Sequence, residues 1–378
     1  MRTSMSRAGN ALLLLFSSLI AWVLLEVCLH LSVTTGYLDI EQPTYSLYNA
    51  SSRFWVESHP VFGVWHTPHS SYRHVKSCFD VTYEANSYGA RDRERTRTAA
   101  GRRVVLLGDS FVEGLGVERD KRLSDLLEQD TKLEHLNFGT AGYFGPTQYY
   151  LLYKTLAKQF DHDAVIIGLF PTNDFLDDDY EYGRRVHAHR YRPYLVGTYP
   201  DYQLIYHRET LRTEGNRLGD AARYINGILR EFTYTYNVAR YIAWRVGLRG
   251  EKRQTLTGKP RTYSGYYDFS AQQFDIMKYV LEQIVKEAEG KIVAIVTIPR
   301  RADLERYGVV GGAPLARALG ALAEEVGATY IDLLPHFYAH TKDWSRYYLP
   351  CDGHWNDYGH LTAYRYLREH LPMYRKWS

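Results

Sequence analysis

The chain has 378 residues, enough for one large domain or two ordinary ones. Hydrophobic residues make up 45% and charged residues 24%, which excludes a disordered or fibrous chain, and a net charge of +3 gives no ground for a nucleic-acid partner. The 34 tyrosines suit a sugar-binding surface, but a tyrosine-rich core and surface explain them as well.

The first predicted element is an apolar run, Ala11 to Val33, interrupted by Glu26 and His30. Its length of about 20 residues fits a membrane-spanning helix. Arg2 and Arg7 precede it, which predicts a cytoplasmic N-terminus and an extracytoplasmic remainder, on the periplasmic side of a bacterial inner membrane. The run is long for a cleaved signal peptide and no A-x-A site follows, so the expectation is a retained anchor. Glu26 would face a partner helix or reach water near the outer boundary, and both alternatives stay open. Residues 1–33 thus read as stub and anchor, and 34–100 as a polar, aromatic linker.

From about residue 101 the pattern becomes regular. Val104–Gly108 predicts a buried strand, Leu123–Glu128 a helix, His135–Gly139 a second strand and Thr147–Phe160 a helix. Ala164–Phe170 predicts a third strand, apolar on both faces. Residues 178–265, rich in Tyr and Arg, break the rhythm and read as an insertion beside the site, with one helix over Phe232–Val246. Helix Ala271–Gly290, strand Ile292–Ile298, helix Ala313–Val326, strand Thr329–Leu333 and helix Asp357–Leu371 complete the order. Alternation of this kind implies an α/β fold, a five-stranded parallel sheet between helical layers, with ligands beyond the carboxyl ends of the strands.

Chemistry-bearing residues fall at those ends. Gly108-Asp109-Ser110 closes the first strand, and a serine there projects its hydroxyl into the crevice. Val112 stands where the second glycine of a G-x-S-x-G elbow would be, so the α/β-hydrolase pattern does not apply. A serine needs a base, and His354 can serve, with Asp352 two residues earlier fixing its tautomer. In an extended segment, residues i and i+2 point the same way. The loops after strands two and three offer Gly142 and Asn173, which with the N–H of Ser110 make a candidate oxyanion hole.

Ser110, Gly142, Asn173 and the Asp352/His354 pair occur in the order of the four blocks of SGNH/GDSL hydrolases, and the chain resembles that family over about residues 103–371, apart from the insertion. The resemblance implies a three-layer α/β/α, flavodoxin-like SGNH fold for residues 101–378 and serine-dependent acyl-ester chemistry without metal or organic cofactor. Asp-x-His-Trp and the segment Asn86–Asp92 look like a membrane-anchored branch that adds or removes acetyl groups on polysaccharides. That implies an acylated carbohydrate substrate and polysaccharide-assembly membrane proteins as partners. The expected activity is an esterase acting on O-acetyl groups of an extracytoplasmic carbohydrate, with a polysaccharide O-acetyltransferase, a non-catalytic glycan-binding or scaffold subunit, and lipid-ester cleavage as alternatives. Two departures stand out. Pro171 replaces the usual glycine two residues before the asparagine, and the usual Asp-x-x-His is shortened to Asp-Gly-His.

Other clusters carry less. Of Cys28, Cys78 and Cys351, none has metal-site spacing. Cys78 and Cys351 fall in the part assigned to an oxidising compartment, where a disulfide and two free thiols are both open. His66, His69 and His74 match no strong metal site, and Asp177, Asp178, Asp179 and Glu181 lack the spacing of a calcium loop. His360 reads as structural.

Overall fold

The structure, a computed structural model, describes residues 7–186, 190–207, 217–252 and 263–377. The chain divides into two compact units: Ser52–Tyr72, Val81–Gly215 and Thr257–Ser378 form one, and Met1–Ser51, Arg73–Asp80 and Asn216–Leu256 the other.

The larger unit is built on five parallel strands, β1 (Arg103–Gly108), β2 (Glu134–Gly139), β3 (Ala164–Leu169), β4 (Ile292–Thr297) and β5 (Thr329–Asp332), in the order β5-β4-β3-β1-β2. β1 and β3, two of the three inner strands, are buried along their whole length. Each fully buried Val, Ile or Leu there contributes roughly 1.5–3 kcal/mol. The helices are α1 (Ser110–Glu113), α2 (Leu123–Thr131), α3 (Pro146–Thr155), α4 (Pro171–Asp177), α5 (Ala271–Glu287), α6 (Pro314–Val326) and α7 (Asp357–His370). α2 packs on α7, whereas α5 packs on α3 and α6, giving the two outer layers. A capping box starts α5, with Gln273 N donating to Ser270 Oγ at 3.1 Å, and left-handed Gly327 ends α6. Because the chain runs from β1 out to β2 and returns to β3, the order reverses between β1 and β3. Sheets of this order bind ligands at that switch point.

All five expected strands form, with ends shifted by a residue or so. The helix expected over Thr147–Phe160 stops at Thr155, and Pro171–Asp174, expected as a loop, opens α4. Pro171 sits at the first helical position, where its missing N–H has no intrahelical partner to lose. The stretch read as a linker holds two hairpins, Trp55–His59 with Gly63–His66 and Ser71–Lys76 with Phe79–Glu84.

In the smaller unit, Arg7–Thr34 is one helix, and its Gly9–Thr34 portion is long and apolar enough to cross a membrane. Helices Arg217–Phe232 and Tyr234–Lys252 follow each other closely, where one helix was expected over Phe232–Val246. Thr233 between them breaks the run, and Glu26 supplies the cap that restarts it. Tyr234 N donates to Glu26 Oε2 at 2.7 Å and Thr235 N to Glu26 Oε1 at 2.9 Å. Glu26 therefore meets a partner helix of its own chain. Of the insertion, positions 187–189, 208–216 and 253–262 lie outside the described residues. Cys28 is a free thiol, and Cys78 and Cys351 are each disulfide-bonded.

Candidate active site

Three glycines set the geometry. Gly108, Gly139 and Gly168 lie in register at the carboxyl ends of β1, β2 and β3. A Cβ on any of them would come under 3.0 Å from Val112 or its neighbours. Only bare backbone lets α1 press onto the sheet there, which fixes Ser110 over the switch point. Asp109 caps the helix, its Oδ1 accepting from Phe111 N at 2.9 Å.

Ser110 Oγ lies 2.7 Å from His354 Nε2, although 244 positions separate them. His354 Nδ1 is in hydrogen-bond contact with Asp352 Oδ1. A carboxylate can only accept, so Nδ1 carries the proton and Nε2 is left to accept from the serine. The segment is not extended as expected. Gly353 has a φ of +90°, Gly353 N donates to Leu349 O at 2.8 Å, and Leu349 N donates to His354 O at 2.7 Å. This closed turn, bracketed by the Tyr348–Trp355 bridge, aims Asp352 and His354 together in place of strand alternation. The His354 ring rests on Phe111, with centroids 4.9 Å apart.

Gly142 follows β2 with a φ of +106°, and Asn173 lies in the first turn of α4; both are partly exposed. Among the described residues, neither the N–H groups of Ser110 and Gly142 nor the Asn173 amide donates to the protein. The arrangement offers a hydroxyl in contact with a base, and leaves Ser110 N–H, Gly142 N–H and the Asn173 amide as candidate donors for the oxyanion that acyl transfer builds.

The profile of the GDSL-like Lipase/Acylhydrolase family matches residues 106–361. The chain belongs to that family. This GDSL-type hydrolase is similar to a lipolytic G-D-S-L family member from Veillonella parvula (12% identity, 72% of this chain and 98% of that one, TM-score 0.38). It is also similar to the lipase/acylhydrolase of Enterococcus faecalis (10%, 71% and 96%, TM-score 0.35). A third solved structure is a carbohydrate esterase family 2 enzyme with its carbohydrate-binding domain from Corynascus thermopiles (14%, 75% and 69%, TM-score 0.39). No curated protein matches.

Around the GDSL serine lies a polar network that the sequence did not reveal. Glu113, the last residue of α1, is fully buried. It accepts from Ala141 N, next to Gly142, and its Oε1 lies 3.2 Å from His66 Nε2. Burial raises its pKa, but the charge and hydrogen bond of His66 and the charge of Arg91 hold it below the usual range. Arg91, buried from the Asn86–Asp92 segment, donates to the carbonyls of Glu113 at 2.9 Å, Gly114 at 2.6 Å and Val117 at 2.7 Å. The segment's recognised motif pointed to the region, but nothing local pointed to Glu113.

Asp109, the residue before the serine, and Asp174 in α4 are buried acids. Burial pushes Asp109 up to about 7 and Asp174 well above the carboxylate range, the Asp109 charge adding to the second shift. Tyr149 donates to Asp174 Oδ1 at 2.8 Å. Asp177 pairs with Arg192, Asp178 accepts from Thr147, Asp179 caps Tyr182 and Glu181 pairs with Arg184. His69 lies 4.0 Å from Glu94, and His74 packs edge-on against Phe79. Among the described residues, no group of three or more His, Cys, Asp or Glu could hold a metal. His360 is buried, its Nδ1 accepting from Leu123 N at 3.2 Å.

Proposed function

We propose that this hydrolase is a membrane-anchored, extracytoplasmic esterase that removes O-acetyl groups from a carbohydrate. The observation that carries the catalytic part is the 2.7 Å contact between Ser110 Oγ and His354 Nε2. Ser110 Oγ attacks the acyl carbon while its proton passes to His354 Nε2, and Asp352 stabilises the imidazolium. The N–H groups of Ser110 and Gly142 and the amide of Asn173 receive the negative charge of the carbonyl oxygen. Collapse breaks the ester C–O bond, and His354 returns the proton to the departing sugar hydroxyl. Water, deprotonated by His354, then attacks the acyl-serine and releases acetate and the free Ser110 hydroxyl. If a second sugar hydroxyl takes the place of water, the same residues perform acetyl transfer.

The carbohydrate part rests on the residue beside Gly142. Tyr143 adopts a φ of 63°, uncommon outside glycine, and is partly solvent-exposed. The Arg190 guanidinium lies over its ring, 4.5 Å from the centroid. An aromatic face held out at the rim of the crevice suits stacking against a pyranose ring. The full chain in detergent, and Ser110→Ala beside it, would be assayed on a chromogenic acetate ester and on acetylated glycans. Loss of roughly 10^4-fold or more in kcat for the variant on both substrates is expected. Equal rates for the two proteins would end the nucleophile assignment. Turnover of the chromogenic ester alone would end the carbohydrate assignment, and acetyl appearing on added glycan instead of as free acetate would mark a transferase.

A further inference from the structure

The helices that restart at Glu26 have an inverted surface. In Arg217–Phe232, Ala221, Ala222, Ile225 and Leu229 share one face, at helical spacing i, i+1, i+4 and i+8. A soluble amphipathic helix turns such a stripe inward. Here, among the described residues, the buried positions are Gly227 and Glu231. A Cβ on Gly227 would collide with the backbone of Ala50. Glu231 Oε2 accepts from Asn49 Nδ2 at 2.9 Å and Thr44 Oγ1 at 2.5 Å. The apolar stripe faces out, with Ile225 56% exposed. In the next helix Ile242 is exposed as well.

The second helix is pinned to the apolar N-terminal helix well inside its end. Besides the two Glu26 bonds, Trp22 Nε1 donates to Thr235 Oγ1 at 3.4 Å, and His30 Nδ1 lies 2.8 Å from Tyr234 OH. Val33, Ile40 and Tyr234 form a small shared core. Glu26 lies eight residues before Thr34, about 12 Å along the helix axis. A hairpin docked at that depth on a spanning helix enters the leaflet. Among the described side chains of the pair, Arg223, Arg230, Arg240 and Arg245 outnumber Asp220 and Glu231, a basic excess suited to anionic headgroups at its margin.

From this we propose that the helical pair spanning residues 217–252 is a membrane-interfacial hairpin, its Ile225 and Leu229 stripe buried among lipid chains and its turn locked to the anchor by Glu26. The proposal rests on the reading of Arg7–Thr34 as a retained span, and it explains why that helix carries Trp22, Glu26 and His30 on one face. It is tested on the full chain with Cys28→Ser, in phosphatidylethanolamine/phosphatidylglycerol vesicles containing doxyl-labelled lipid. Single cysteines carrying an environment-sensitive dye are placed at Leu19, Ile225, Leu229 and Asp220. Labels at Leu19, Ile225 and Leu229 should lose most of their fluorescence to the quencher, and the label at Asp220 should keep its own. Quenching at Leu19 with none at Ile225 and Leu229 would overturn the hairpin and leave the anchor standing, even if those labels are blue-shifted by a second protein copy. Quenching at Asp220 equal to that at Ile225 would overturn the facial assignment. An unquenched Leu19 would overturn the anchor and the hairpin together.

Discussion

Two amphipathic helices of this chain obey the same sequence rule and opposite burial rules. Helix α5 buries Ile276, Met277, Val280, Leu281 and Ile284 against the sheet unit's core. Helix Arg217–Phe232 buries a glycine and a glutamate and leaves Ile225 and Leu229 outside. Periodicity specifies a stripe; it does not specify the medium that covers it. In the larger unit that medium is protein, and buried polar groups such as Arg91 and Glu113 hold the Ser110 loop. In the smaller unit the polar groups do the internal joining and the apolar groups face out. The contrast predicts that substitutions in the first unit change chemistry or global stability, and substitutions in the second leave turnover alone.

After Ser110, His354 and Asp352 themselves, the largest effect should come from Asn173→Ala, a fall in kcat of roughly 10^2–10^3 with little change in KM. A loss below about tenfold on the chromogenic ester would remove Asn173 from the oxyanion site. Glu113→Ala should come next. It leaves Ala141 N–H without its acceptor and takes the carboxylate away from buried His66, whose Nε2 keeps Thr140 Oγ1 at 3.0 Å, at about 1–3 kcal/mol by denaturant titration. Glu113→Gln, which keeps an acceptor for Ala141, should recover much of that stability.

A third effect is pH-dependent. Burial, helped by the charges of Arg122, Arg91 and His354, holds His360 down at about 3. The unfolded chain, with an ordinary histidine, binds the proton first as pH falls below about 6.5. Stability from this residue is therefore complete above that pH and declines toward pH 3, by about 1.4 kcal/mol per unit. Asp109 and Asp178, raised to about 7 by burial, act with the opposite sign between about 4 and 7. The measurement is thus a difference: His360→Asn, which keeps an acceptor for Leu123 N, should fall less than the parent between pH 7 and pH 5. Parallel curves would contradict the neutral, buried state of His360.

Smallest should be Glu26→Ala. Loss of the cap on helix Tyr234–Lys252 costs about 1 kcal/mol locally, read as faster amide exchange at Tyr234 and Thr235. Ester turnover in detergent should not change. A comparable loss of kcat would erase the division between the two units.

The five strands were readable because each is a short apolar run closed by Gly or a turn. The meeting of Ser110, His354 and Asp352 was expected from their residue types and order, and the structure brings the three side chains into contact. Helix α4 was not, because Pro-Thr-Asn-Asp suits a turn and a helix start equally. The turn at Gly353 was hidden too, since a two-residue spacing is satisfied by a strand and by a closed loop alike. Glu113 and His66 were hidden because they meet across 47 positions with no local pattern to mark them. Glu26 was visible as an anomaly, but its partner lies 208 positions away.

Arg91 has a practical consequence. Its guanidinium, fully enclosed, gathers the carbonyls of Glu113, Gly114 and Val117, which follow the proposed nucleophile Ser110, and it comes from chain that precedes β1. A recombinant version trimmed to begin at residue 101 would keep every residue of the catalytic constellation and lose the clamp beneath it. A shorter version that keeps this clamp should instead begin near Ser52, ahead of both hairpins, and substitutions in the Asn86–Asp92 segment should report on alignment of the serine more than on any contact with substrate.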